Sequence, residues 1–261
     1  MTWLLLPSFT WKTASHPLSI HIQYVGVIMS MFPFIKICGI QNLDEAKMAI
    51  DAGATAIGCL VGLTHKAEDK ITARDAASIF EQLPKTVNSV LVTHFVEATD
   101  ILELCAETNP KVIQVHGDAN FQTVVTLADR LPEVKLIKAV HVGGKESVEI
   151  AEEWSEAPIS AILLDSRTRD RLGGTGKVHD WNISREIVEL SKHPVVLAGG
   201  LNPDNVAAAV RAVRPSGVDV NSGVEKIGGE KDASKVRSFI ENASIELNKY
   251  LDEYAIRPQT S

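Results

Sequence analysis

From residue 34 onward, the chain alternates short runs of β-branched and leucine residues with longer segments of helical periodicity. The apolar runs are continuous rather than alternating, which is typical of strands buried on both faces. Strands are predicted at residues 34–38, 54–61, 87–93, 112–115, 135–139, 161–164, 195–198 and 217–220. Helices are predicted between them, among them 43–52, 72–82, 99–108 and 121–131. Strands that are separated by helices predict a parallel sheet of the α/β class.

The first predicted helix has clear signals at both ends. Asn42 is a favourable N-cap residue, and Asp44 and Glu45 place negative charge in the first turn. Gly53 follows the last helical position, where a left-handed residue commonly ends a helix. We therefore expect a helix that begins after Asn42 and ends at Gly53.

Eight strand–helix units within residues 34–247 favour one closed (β/α)₈ barrel, a TIM barrel, over an open sheet. An open doubly wound sheet would carry a glycine-rich phosphate turn after its first strand, but the sequence there is KICGI (36–40). Residues 1–33 are expected to be a disordered extension or a start-site artefact, with a targeting peptide or an added interface strand as alternatives. Residues 248–261 are expected to form a frayed polar tail.

Composition narrows the classes of partner. Of the 261 residues, 26 are Lys or Arg and 33 are Asp or Glu, so a net charge of −7 disfavours a nucleic-acid partner. No apolar run is long enough to suggest a membrane partner. Three cysteines without metal-ligand spacing indicate a reduced, cytoplasmic protein with no metal site.

Two glycine-containing turns predict a phosphate site. In barrel enzymes, the loops after the seventh and eighth strands frequently bind phosphate. Here these strands lead into Gly199 and Gly200 and into Ser222 and Gly223. Glycine allows backbone N–H groups to approach an anion closely, so we expect a small phosphorylated substrate at these four residues.

Two further strand ends carry candidate acid–base groups. Cys38 closes the first strand, and Lys36 alternates with it toward the barrel interior. Asp165 ends the sixth strand, and a GGTG loop (173–176) that follows is a candidate lid or second anion contact. A thiol with a tuned pKa can act as a general base, with a carboxylic acid as its partner.

Six motifs together resemble the phosphoribosylanthranilate isomerases of tryptophan biosynthesis. They are KICG (36–39), QVHG (114–117), LLD (163–165), GGTGKVHDW (173–181), LAGGLNPDNV (197–206) and GVDVNSGVE (217–225). The resemblance covers residues 34 to 243 and implies an Amadori rearrangement of N-(5′-phosphoribosyl)anthranilate to 1-(2-carboxyphenylamino)-1-deoxyribulose 5-phosphate, without a cofactor. It also implies that Asp165 protonates the furanose oxygen and that Cys38 removes the C2′ proton.

The chain departs from the family pattern around the aglycone half of the substrate. The family carries an arginine after its second strand, whereas this chain has Lys66 and Lys70 in a longer loop. His94, His179 and Asn221 also replace usual family residues. Substrate contacts beyond the phosphate site are expected from Lys36, Lys66, Lys70, His94, Gln114, His116, Gly174, Asp219 and Asn221.

The residues leave three functions open. The first is a phosphoribosylanthranilate isomerase with an unusual carboxylate contact, and the second is a sister isomerase that acts on another N-ribosyl phosphate. The third is a non-catalytic phosphate-binding barrel, because a fold alone does not fix function. Such a binder needs neither Cys38 nor Asp165. A monomer and a homodimer are both consistent with the sequence.

Overall fold

The computed structural model describes residues 33–63, 69–168, 171–172 and 180–256. The predicted extension (1–33) therefore lies outside the described residues, except for Pro33. The strands are β1 (Phe34–Ile37), β2 (Ala56–Leu60), β3 (Asn88–Thr93), β4 (Val112–Val115), β5 (Lys135–Val142), β6 (Ala161–Thr168), β7 (Arg171–Leu172), β8 (Val195–Leu197) and β9 (Gly217–Val220).

All of these strands except β7 form one closed parallel sheet. Neighbours pair in the order β5, β4, β3, β2, β1, β9, β8 and β6, and β6 returns to β5, which closes the barrel. The two-residue strand β7 pairs antiparallel with the end of β6. The predicted (β/α)₈ barrel is confirmed.

The helices follow the strands along the chain. They are α1 (Leu43–Asp51), α2 (Ala73–Glu81), α3 (Ala98–Thr108), α4 (Phe121–Arg130), α5 (Glu146–Glu153), α6 (Trp181–Leu190), α7 (Val206–Val213) and α8 (Ala233–Ile256). The last helix continues to Ile256, past residue 248 where a frayed tail is expected. Among the described residues, no helix has both the length and the apolar character needed to cross a bilayer.

The ends of α1 match the sequence signals. The Asn42 side chain accepts a hydrogen bond from the backbone N–H of Glu45 at 2.9 Å, and Gly53 adopts a φ of +105°. The Glu45 carboxylate turns back to accept from the Gln41 N–H at 2.9 Å and from the Lys231 N–H at 3.0 Å. Glu45 therefore ties the start of α1 to the segment that precedes α8.

Successive side chains along each strand point alternately into two buried layers, one inside the barrel and one between the sheet and the helices. On β1, Ile35 and Ile37 point outward into the apolar layer between sheet and helices, whereas Phe34 and Lys36 fall outside that cluster. The same alternation places Val140 and Val142 of β5 in the outer layer and leaves His141 on the inner face. Inward polar side chains are thus concentrated at the carboxyl ends of the strands.

Candidate active site

A buried ion pair lies beside the candidate base. Lys36 of β1 is fully buried, and its Nζ donates to Oδ2 of Asp219 on β9 at 2.8 Å. Burial opposes the charge on Lys36, but its interactions with Asp219 and Cys38 together outweigh burial and raise the pKa of this lysine. The second oxygen, Oδ1 of Asp219, has no hydrogen-bond partner among the described residues. It is an acceptor that a bound hydroxyl group can use.

Cys38 extends from β1 next to this pair. A Cβ atom added at Gly58 of β2 would lie 2.7 Å from Cε of Lys36 and 3.1 Å from Sγ of Cys38, so both side chains occupy space that glycine leaves. Burial raises the pKa of the Cys38 thiol to about 11, and the charge of Lys36 opposes the rise. The thiol is therefore protonated at neutral pH when the site holds no ligand.

The candidate acid contacts a histidine from a neighbouring strand. Nε2 of His116 lies 3.4 Å from Oδ2 of Asp165, and both residues are buried. Burial disfavours the charged carboxylate, but the hydrogen bond and charge of His116, aided by His141 and the Ser166 N–H, lower the pKa of Asp165. Gln114 supports the ring from the other side, with its Nε2 2.9 Å from Nδ1 of His116.

Three imidazole rings meet at the ends of β3, β4 and β5. His94 stacks on His116 with ring centroids 5.2 Å apart and an interplanar angle of 11°. His141 meets His116 edge to face at 5.0 Å. His116, His141 and Asp165 each offer one potential ligand atom here, and these atoms all lie within 4.8 Å of one another. This part of the mouth can therefore exchange protons or accept a metal ion.

The glycine turns after β8 and β9 pack against their neighbours without space for a side chain. Gly199 and Gly200 have φ values of +79° and +69°, which favour glycine. A Cβ atom at Gly199 would meet the Ser166 N–H and lie 2.9 Å from Oδ1 of Asp165. A Cβ atom at Gly223, within the 3₁₀ turn Ser222–Val224, would overlap the Leu201 carbonyl oxygen. The two turns are therefore adjacent, as a shared anion site requires.

Asn221 joins three loops at the carboxyl end of β9. Its Nδ2 donates to Oδ2 of Asp69 at 2.6 Å, while its Oδ1 accepts from Nζ of Lys231 at 2.6 Å. Lys231 also pairs with Oε1 of Glu225 at 2.6 Å. Asn221 thus fixes the end of the loop after β2 against the glycine turn after β9.

Some predicted residues are not brought into this group. Lys66 and Gly174 lie outside the described residues. Lys70 is exposed, and its backbone pairs in parallel with that of Leu60 at the end of β2. Asp165, His116, Gln114 and His94 are brought together, and Lys36, Cys38 and Asp219 form a second group.

Two site residues were missed at the level of sequence. His141 interrupts an apolar run, so the strand was predicted to end at residue 139, whereas β5 continues to Val142. A two-residue alternation from Ile137 through Ala139 to His141 is the signal that could have found it. Lys231 lies in a polar loop, and the sequence there has no periodicity that would indicate a buried position.

Comparisons with known proteins identify the family. The family model described as N-(5′-phosphoribosyl)anthranilate (PRA) isomerase matches residues 35–242. N-(5′-phosphoribosyl)anthranilate isomerase 2 of Methanosarcina mazei is 39% identical over 217 residues, which is 82% of this chain and 96% of that protein. The isomerase of Methanocella arvoryzae is 40% identical over 211 residues, which is 81% of this chain and 98% of the relative.

Solved structures give the same answer. A phosphoribosyl anthranilate isomerase in complex with reduced 1-(o-carboxyphenylamino)-1-deoxyribulose 5-phosphate superposes with a TM-score of 0.69 at 34% identity, covering 81% of this chain and 98% of that one. The Thermotoga maritima enzyme gives a TM-score of 0.72 at 36% identity, with the same coverage. Monomers generated from the dimeric enzyme of that organism give 0.68 at 33% identity, again covering 81% and 98%. The chain belongs to the N-(5′-phosphoribosyl)anthranilate isomerase family.

Proposed function

We propose that this protein converts N-(5′-phosphoribosyl)anthranilate to 1-(2-carboxyphenylamino)-1-deoxyribulose 5-phosphate, with Asp165 as general acid and Cys38 as general base. The assignment of the acid and the base rests on one observation. Two separate groups of polar side chains lie at the carboxyl ends of the barrel strands. Lys36 and Asp219 lie on β1 and β9, and Cys38 directly follows β1. Asp165 lies on β6, and His116 directly follows β4. A substrate between them is reached by an acid and a base from different strands.

The first step opens the sugar. Asp165 donates a proton to the furanose oxygen, the bond from C1′ to this oxygen breaks, and the amine lone pair forms a protonated Schiff base. A lowered pKa leaves Asp165 ionised in the free protein, so the acid form requires a proton that the site supplies on binding. The anionic groups of the substrate raise the pKa of a nearby carboxylate, and His116 is a hydrogen-bonded proton source.

The second step moves a proton from carbon. The Cys38 thiolate removes the C2′ proton, and the electron pair flows to the iminium nitrogen to give an enolamine. The enolamine then tautomerises to the 2-ketone. A positively charged Schiff base close to Sγ favours the thiolate, as Lys36 already does. No external electron acceptor is needed, because the nitrogen of the substrate accepts the pair.

The order of the strands around the barrel suggests how the substrate is oriented in the site. We assign its phosphate to the backbone of Gly199, Gly200, Ser222 and Gly223, at the ends of β8 and β9. In a ring of eight parallel strands, β3 and β4 lie opposite this pair. The aglycone then lies toward His94 and His116, near the loop after β2 that contains Lys66 and Lys70, and the hydroxyl groups of the ribulose lie near Asp219.

The carboxylate of the aglycone meets Lys66 or Lys70 in this proposal. Asp69 would repel that carboxylate, but its Oδ2 already accepts from Nδ2 of Asn221. We further propose that the protein acts as a monomer or homodimer in the cytoplasm, where its three free thiols, Cys38, Cys59 and Cys105, remain reduced.

Turnover of purified N-(5′-phosphoribosyl)anthranilate tests the function directly. We expect loss of the substrate and appearance of the aminodeoxyribulose phosphate, together with complementation of a tryptophan auxotroph that lacks this isomerase. A folded protein that binds the substrate without turning it over would instead support a non-catalytic barrel. Turnover of another N-ribosyl phosphate in its place would support the sister isomerase.

A further inference from the structure

Two ligand atoms at the mouth are separated by the distance that a tetrahedral metal ion requires. With metal–ligand bonds of about 2.0–2.1 Å, the edge of a tetrahedral site measures about 3.3 Å. Nε2 of His116 and Oδ2 of Asp165 lie 3.4 Å apart. Asp165 is on β6, and His116 directly follows β4, where its N–H donates to the Thr93 carbonyl oxygen at 2.9 Å, so backbone pairing in the barrel holds the separation.

His141 supplies a third donor at the same place. One of its ring nitrogens lies within 4.8 Å of the ligand atoms of His116 and Asp165. This exceeds the tetrahedral edge by about 1.5 Å, so the half-buried ring of His141 must turn inward to complete the set. Two imidazoles and one carboxylate, with a fourth position left for water, form a ligand set that proteins use for divalent transition metals.

Gln114 provides the second layer that such a site needs. A histidine that binds metal through Nε2 carries its proton on Nδ1 and donates it to an oxygen atom. Gln114 is 1% exposed and lies beside Nδ1 of His116, while its own Oε1 has no partner among the described residues. A half rotation of the amide places Oε1 against Nδ1 and leaves the Nε2 lone pair directed toward Asp165.

We propose that His116, His141 and Asp165 bind one divalent transition-metal ion, such as Zn²⁺ or Co²⁺, and that this ion inhibits the isomerase. Nitrogen donors favour these metals over Mg²⁺ and Ca²⁺, which prefer oxygen ligands. The bound ion takes the carboxylate of Asp165 and prevents it from carrying a proton. Inhibition rests on the proposed function, whereas binding of the metal does not.

Titration of the metal-free full-length protein with Co²⁺, followed by visible absorption, tests binding without any assay of activity. We expect one saturable site per chain and an increase of 10-fold or more in Kd for His141→Asn. His193→Asn is the matched control, because His193 precedes β8 at the opposite end of the barrel and contacts the Trp154 carbonyl oxygen at 3.1 Å. It should bind Co²⁺ as the wild type does.

The metal site would be overturned by the absence of saturable Co²⁺ binding or by equal affinity in His141→Asn and wild type. A thiolate-to-cobalt band that disappears in Cys38→Ser would place the ion on Cys38 and would also overturn the proposed site.

Gln114→Leu should weaken Co²⁺ binding by about 10- to 100-fold, the usual effect of removing a residue that hydrogen-bonds to a metal ligand. Unchanged circular dichroism would show that the variant is folded.

Zn²⁺ inhibition tests the consequence. We expect inhibition that is competitive with N-(5′-phosphoribosyl)anthranilate, reversed by a chelator and weakened in His141→Asn. Turnover that is unaffected at saturating Zn²⁺ would refute the inhibitory role while the binding data stand. A protein that binds Co²⁺ as expected but turns over no substrate would refute the proposed function instead.

Discussion

Nζ of Lys36 and Oδ2 of Asp219 lie 2.8 Å apart inside the barrel, and this pair determines how much positive charge reaches Cys38. Lys36 lowers the pKa of the Cys38 thiol, whereas Asp219 raises it. Burial adds the largest effect, and the pKa of the thiol reaches about 11. Burial and the charge of Asp219 together keep the thiol protonated until a ligand changes the local charge.

Asp219→Asn should lower the pKa of Cys38. The change removes the negative charge that faces Lys36, so the ammonium group acts on the thiolate without compensation. Thiolate is the form present above the pKa, and its absorbance should therefore appear at lower pH in the variant than in the wild type. Subtracting the titration of Cys38→Ser assigns the signal, because Cys59 and Cys105 remain in both proteins.

An unchanged titration midpoint in Asp219→Asn would contradict this description of the charge around Cys38. Cys105 provides an internal reference, because burial alone raises the pKa of its thiol. Its titration should not move with the substitution.

Cys38→Ala and Asp165→Asn should each lower kcat by about 10²-fold or more, the usual effect of losing a positioned base or acid. Both variants should keep the circular dichroism of the wild type. Cys105→Ala is the matched control, since Cys105 lies on α3 in the outer apolar layer. Near-normal kcat in either variant would mean that the acid or the base has been assigned to the wrong residue.

The eight barrel strands could be predicted because continuous apolar runs mark strands that are covered on both faces. The same rule fails where the inward-facing side chains of a strand change from apolar to polar. Beyond Ala139 and Leu164, β5 and β6 carry His141 and Asp165 on the inner face while Val140 and Val142 remain in the outer layer. A polar inner residue ends an apolar run in the sequence but does not end hydrogen bonding between the strands.

The contacts between loops could not be predicted in the same way. Asn221 was singled out as a departure from the family, but its bonds to Asp69 and Lys231 join segments that are far apart along the chain. No periodicity relates such segments, and only closure of the barrel brings them together. Lys231 was therefore missed for a topological reason, not because its residue type is unusual.

Gly223→Ala should raise the KM for the phosphorylated substrate and leave kcat less affected. The added methyl group would overlap the Leu201 carbonyl oxygen and force apart the turns after β8 and β9. Gly143→Ala is the control, because its Cβ atom would meet only Oε1 of Glu146, at 3.4 Å. Steady-state kinetics should distinguish the Gly223→Ala variant from the Gly143→Ala control. Equal KM values would contradict the assignment of the phosphate to these two turns.

Phe239→Ala should reduce the free energy of unfolding by about 3–5 kcal/mol. Phe239 lies on α8, is fully buried and belongs to the apolar layer around the barrel. Ile245 lies on the same helix but is 51% exposed, so Ile245→Ala should change the free energy of unfolding by about 0.5 kcal/mol or less. Denaturant titrations measure both. Similar losses would show that α8 does not pack through Phe239.

Lys66→Ala and Lys70→Ala test which cation meets the carboxylate of the aglycone. Lys70 is exposed, so its contact should contribute under about 1 kcal/mol and its loss should raise KM by less than about 5-fold. Lysine is a compact charge without the planar fork of arginine, so either substitution should raise the KM for the substrate moderately and leave kcat unchanged. Lys85→Ala is a control that removes an exposed lysine from the segment before β3, at the other end of the barrel. It should leave KM unchanged.

The alternative contact for this carboxylate is the group of stacked rings formed by His94 and His116. If these rings supply the contact, His94→Asn should raise the KM for the substrate, and both lysine variants should leave it unchanged. If a lysine supplies the contact, His94→Asn should leave KM unchanged. No effect of His94→Asn or of either lysine substitution would refute both contacts and would favour a substrate without this carboxylate.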